Sequence, residues 1–176
     1  PTEQMRPVSM DEAVGYPAIA CTHETLSEHT LVLKHDRLFL LVNQHGDITP
    51  PGGCSLGLFQ EDTRILSRYR LRVAGGPPVL LSAQMPRPYG AVIDLAVNDL
   101  PFGGNAWDPR NVIHIRRELS LSDRLMEGLR LTSYLRTPPD YWIELEFGVD
   151  FADIFEVRGW RRPGRGQYFA PRVEAD

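Results

Sequence analysis

The sequence lacks most of what would mark an exported or membrane-spanning chain. It has two cysteines, Cys21 and Cys54, too few for the disulfide framework of a small secreted domain, so both read as reduced thiols of a cytoplasmic protein. Its first residues, Pro1-Thr2-Glu3-Gln4-Met5, hold no apolar signal-peptide core. The longest clean apolar run, Leu38-Phe39-Leu40-Leu41-Val42, is far too short to cross a bilayer. Positive charge is not in excess: the formal net charge of −4 argues against nucleic acid or an anionic membrane as partner. No Gly-x-Ser-x-Gly, phosphate loop or dinucleotide fingerprint is present. The five histidines (His23, His29, His35, His45, His114) lack the close spacing of zinc motifs. Neither a metal nor a cofactor is expected. Helix is scarce, with a single turn expected at Leu56–Asp62.

What is present suits a globular all-β domain. Across 176 residues the apolar fraction is 42% and the charged fraction 24%, enough to bury a core without staples. Gly and Pro, 15 of each, favour many short strands joined by turns. Residues 1–15 are polar and aperiodic and read as a flexible arm; residues 16–176 read as one domain. Thr30–Lys34 and Arg37–Asn43 form a hairpin about His35-Asp36, followed by a turn at Gln44-His45-Gly46-Asp47 and an irregular loop at Pro50–Gly53.

Alternation is clearest over Arg64–Ala74, where Ile65, Tyr69, Leu71 and Val73 oppose a stripe of Arg64, Arg68, Arg70 and Arg72. Asn111–Leu121 sets Ile113, Ile115, Leu119 and Leu121 against His114, Arg116 and Glu118. In Tyr141–Phe151 an apolar row of Tyr141, Ile143, Leu145, Phe147, Val149 and Phe151 opposes Glu144, Glu146 and Asp150. Arg124–Arg136 puts Leu125, Leu129, Leu131 and Leu135 on one side, and Val79–Ala83 and Ala91–Val97 add two more strands. Eight to ten half-solvated strands with frequent turns imply an all-β fold with little helix, an antiparallel β-sandwich or a barrel.

Several constellations invite chemistry. Gly57–Arg68 contains Asp62-Thr63-Arg64 with Ser67; a strand-start corner outweighs a docking surface there. Asp150, Asp153 and Glu156 are three apart. They lack the glycine-hinged alternation of a calcium loop, and sequence cannot set two carboxylates at glycosidase separation, so pairing with arginines is the stronger expectation. Arg158–Tyr168 resembles an arginine–glycine nucleic-acid segment but is short and sits in an acidic chain, so it reads as a hairpin loop. Trp107 and Trp160 are candidate sugar-stacking platforms, against the commoner role of packing at a loop base.

Three strings, "GLFQEDTRILSRYRL", "RELSLSDRLMEGLRLTSYL" and "ELEFGVDFADIFEVRG" followed by "RGQ", occur here in an order that resembles the N-terminal domain of bacterial and archaeal glycogen debranching enzymes (amylo-α-1,6-glucosidases). The resemblance runs from about Ala20 to Tyr168. It implies a supersandwich-like β-domain, truncated at its C-terminus relative to the family and preceding an (α/α)6 toroid that bears the catalytic carboxylates. No catalytic residue is then expected in this chain. The motif residues Asp62, Thr63, Arg64, Ser67, Asp150, Asp153, Glu156 and Arg158 become candidates for the domain interface, with α-glucan as the implied ligand of the parent enzyme. A free-standing carbohydrate-binding or protein-docking module is the main rival, and a metal-dependent hydrolase using Asp150, Asp153 and Glu156 is the third reading.

Overall fold

In the computed structural model, residues 30–49, 55–97, 113–134 and 140–160 are described. They form eleven strands and one short helix. The strands are β1 (Thr30–His35), β2 (Leu38–Asn43), β3 (Gly57–Gln60), β4 (Thr63–Leu66), β5 (Arg68–Val73), β6 (Val79–Arg87), β7 (Gly90–Val97), β8 (Ile113–Leu121), β9 (Leu125–Ser133), β10 (Ile143–Gly148) and β11 (Ala152–Asp153). The helix, α1, is Ile154–Val157. All pairings are antiparallel, giving three sheets in the orders β1-β2-β3-β4-β11, β10-β5 and β6-β7-β8-β9.

The five-stranded sheet packs on the four-stranded sheet through β1 and β2 against β7 and β8. The small sheet joins the first through Ile48. Its N–H donates to Tyr69 O at 2.7 Å, and Tyr69 N–H donates back to Ile48 O at 3.0 Å. Alternate side chains enter the core as strand geometry requires. Tyr69, Leu71 and Val73 are buried on β5, as are Ile113, Ile115, Leu119 and Leu121 on β8. β2 is covered on both faces: Leu40 and Val42 are fully buried, and on the other side Phe39 stacks flat on Phe59 at 4.7 Å.

Three local expectations are corrected. Leu56–Asp62 is not a helical turn. Gly57–Gln60 is β3, because Leu58 and Phe59 pair with Leu40 and Phe39 in the sheet. Arg64–Ala74 is not one strand. It breaks at Ser67, whose N–H donates to Gly148 O at 2.8 Å. Tyr141–Phe151 is not one strand either: β10 ends at Gly148, and Phe151 takes a left-handed φ of +49° before β11.

A bulge precedes the Ser67 break. Leu58 pairs with Leu66 but Phe59 pairs with Arg64, so Ile65 is the extra residue on β4. The break leaves Arg64 on β4 of the five-stranded sheet and Arg68, Arg70 and Arg72 on β5 of the small sheet, so the arginine stripe is divided.

Candidate functional site

Two charged clusters dominate the described residues, one at a corner of the sandwich and one in its core. The corner is built where β11 pairs with β4, opposing Ala152 to Arg64 and Asp153 to Thr63. Arg64 Nε donates to Asp150 Oδ1 and Oδ2 at 3.2 and 3.1 Å, Nη2 also donates to Oδ2, and Nη1 reaches Leu56 O at 3.3 Å. This forked clasp is the arrangement that guanidinium and carboxylate planes favour. Gly57 makes room for it: a Cβ there would sit 2.5 Å from Arg64 Cδ and 3.0 Å from a Phe59 ring carbon.

Asp150 Oδ1 also accepts from Ala152 N–H at 3.2 Å, which fixes the approach to β11. Asp153 caps α1, its Oδ1 accepting from Phe155 N–H at 2.8 Å, and Glu156 Oε2 accepts from Asp153 N–H at 3.0 Å. That reciprocal pair is a capping box. The backbone O of Asp62 accepts from Ile154 N–H at 2.8 Å, tying the first motif to the second.

The structure thus brings Asp62, Thr63, Arg64, Ser67, Asp150, Asp153 and Glu156 to one corner. Arg158 does not join: its side chain is exposed and forms no ion pair among the described residues. Its backbone N–H closes the helix on Ile154 O and Phe155 O, both at 3.1 Å. Trp160 is 74% exposed, edge-on to Phe155 at 6.4 Å. Trp107, both cysteines and most of the Arg158–Tyr168 loop lie outside the described residues.

The core cluster centres on Arg117, whose side chain is fully buried. Its Nη1 donates to Asp47 Oδ1 at 2.6 Å and to His45 O at 2.7 Å, and its Nη2 donates to Gly46 O at 3.2 Å. Its Nε donates to Glu127 Oε1 at 2.6 Å, and its guanidinium carbon lies 5.4 Å from the Tyr69 ring centre. Gly46 permits this approach with a left-handed φ of +79°; a Cβ there would meet Ile93 Cδ1 at 2.8 Å. Arg117 thereby fastens the β2–β3 connection to the opposite sheet. Burial lowers the Arg117 pKa from its ordinary value, and the adjacent Asp47 works against that fall. Burial, with the Asp47 charge second, pushes Glu127 up to about 8.

Sequence reasoning missed this cluster, although a signal was present. Arg117 occupies an inward position between Ile115 and Leu119, and Glu127 one between Leu125 and Leu129. Opposite charges in two apolar rows of adjacent strands mark a buried pair.

The remaining polar groups offer little chemistry. Arg68 forms an ion pair with Glu146, while Arg72 Nη2 donates to Gly75 O at 2.9 Å and Glu118 faces Arg116. On β6, β7 and β8, Ser82 Oγ donates to Asp94 Oδ2 at 3.1 Å, and Asp94 Oδ1 lies 2.9 Å from His114 Nε2. That order cannot activate Ser82, because its hydroxyl bonds the carboxylate and not the imidazole. Among the described residues no three His, Cys, Asp or Glu side chains gather as a metal requires. No helix among them is long and apolar enough to cross a membrane.

No curated protein matches the chain. A family model described as the N-terminal domain of (some) glycogen debranching enzymes matches residues 33–176. That span takes in both clusters and every strand from β2 onward. A domain so placed implies a larger catalytic part in the same polypeptide. The chain belongs to this family of glycogen debranching enzyme N-terminal domains.

Proposed function

We infer that this domain is the non-catalytic β-sandwich of a cytoplasmic amylo-α-1,6-glucosidase. It supports the helical toroid that hydrolyses α-1,6 branch stubs and shapes one wall of the α-glucan cleft. The observation that carries this reading is the commitment of the motif carboxylates: Asp150 is clasped by Arg64, and Asp153 and Glu156 are spent on a capping box. Glycoside hydrolysis needs two carboxyl groups free to face a scissile bond. Groups that hold a corner together serve an interface better than a reaction. Asp62, Thr63 and Ser67 border the same corner, and Arg158 stands exposed at the end of α1; all four are assigned to that interface.

The test is glucose release from branched limit dextrin. The complete polypeptide should show it, and residues 1–176 alone should show none. Turnover by residues 1–176 that is lost on Asp150→Asn or Glu156→Gln would overturn the reading.

One observation favours the rival, a carbohydrate-binding module: Trp160 stands open beside Phe155 as an aromatic platform. Retention of residues 1–176 on immobilised glycogen, abolished by Trp160→Ala, would support it.

A further inference from the structure

β10 carries an apolar row that the fold leaves open. Ile143, Leu145 and Phe147 are 43%, 40% and 63% exposed, while their partners across the ladder, Val73, Leu71 and Tyr69, are buried. One face of a two-stranded ribbon is therefore core on β5 and bare on β10. Phe147 only leans on Tyr69, with ring centres 5.2 Å apart at 37°. Among the described residues fourteen large hydrophobic side chains are exposed, and seven of them lie from Trp142 to Trp160. Apolar exposure is thus concentrated in one stretch of chain and not scattered singly, as on an ordinary surface. The opposite face of the same ribbon is polar and partly neutralised, with Arg68 paired to Glu146 and Glu144 across from Arg72.

We propose that the Ile143–Leu145–Phe147 row seats an apolar surface of the catalytic part of the same polypeptide. This rests on reading the chain as the N-terminal domain of a larger enzyme. Three features favour that occupant. The row extends the core of this domain without a break, as the cut surface of a permanent interface does. Beyond β10 the chain runs through β11, α1 and Trp160, so the polypeptide that follows is tethered close by, at high effective concentration. A glucan would need hydrogen-bonding groups beside its stacking ring, and Ile143 and Leu145 offer none.

The test places p-benzoylphenylalanine at position 147 in the complete polypeptide, irradiates it and locates the cross-link by mass spectrometry. The expected product joins position 147 to a residue beyond 176 in the same chain. A cross-link into residues 1–176 would show that the domain covers its own row. A dimer on a denaturing gel would assign the row to a second copy. Absence of any cross-link would leave it open to solvent. Each of these three results overturns the proposal. A second measurement needs no photochemistry: Leu145→Asp should speed protease cleavage between the two parts at least several-fold with the strand content unchanged, and an unaltered rate counts against the interface. Neither readout depends on glucosidase turnover, so an inactive polypeptide that still cross-links would refute the debranching reading and leave the interface standing.

Discussion

Glu127 Oε1 lies 2.6 Å from Arg117 Nε, yet its second oxygen, Oε2, is buried with no hydrogen-bond partner among the described residues. Arg117 also serves Asp47, so one guanidinium faces two carboxylates in the core. Burial of that unpartnered oxygen and the charge of Asp47 nearby favour the protonated carboxyl of Glu127.

The first prediction is a pH dependence carried by Glu127. Its folded pKa is raised from 4.5 to about 8. Stability contributed by the protonated form is therefore fully present below pH 4.5 and is lost as pH rises toward 8, by up to about 1.4 kcal/mol per unit. Glu127→Gln mimics the neutral acid and should remove that slope. Urea midpoints from pH 5 to 8.5 should decline for the natural chain and stay level for the variant. Parallel curves would mean that Glu127 is ionised throughout.

A second prediction concerns Arg117 itself. Arg117→Met leaves Asp47 buried without its cation and should cost on the order of 3–5 kcal/mol. Adding Asp47→Asn should recover part of that loss, because the stranded charge is then gone. Strict additivity of the two changes in denaturation midpoints would show that Arg117 acts through packing alone.

Alternation was legible wherever the backbone enforces it. The inward rows of β5 and β8 follow from parity in the sequence. Breaks were not, because they depend on distant partners: Ser67 ends a strand by bonding Gly148, and Phe151 turns the chain with a positive φ. The helical turn expected at Leu56–Asp62 is a strand instead, since nothing local announces that Phe59 stacks on Phe39. Parity placed Ile143, Leu145 and Phe147 on one face but could not say whether that face is covered. Arg64 and Asp150 stood out in the motifs, whereas the partnership of Arg117 with Asp47 spans seventy residues and needs the fold.

The third prediction addresses the helix cap. Asp153 serves α1 through its side chain, and Glu156 answers it. Asp153→Ala should cost about 1 kcal/mol, and Asp153→Asn, which retains an acceptor oxygen, should cost less. Equal losses for the two would point to a role for the Asp153 charge beyond capping.

The last prediction separates the two arginines of the sequence motifs. Arg64 and Asp150 are mostly buried, with side chains 14% and 22% exposed, whereas Arg158 makes no ion pair among the described residues. Arg64→Ala and Asp150→Ala should therefore be non-additive, with a coupling of about 0.5–3 kcal/mol. Arg158→Ala should change stability by no more than about 0.5 kcal/mol and couple to neither. Gly57→Ala supplies an independent check, since its methyl would occupy the space of the Arg64 stem. It should reproduce most of the Arg64→Ala loss in the natural chain and cost less once Arg64 is already alanine, where only the Phe59 contact remains. If Gly57→Ala is equally damaging in both backgrounds, the glycine is required by the β3 backbone and not by the clasp. If Arg158→Ala couples strongly to Asp150→Ala, Arg158 belongs to the corner after all.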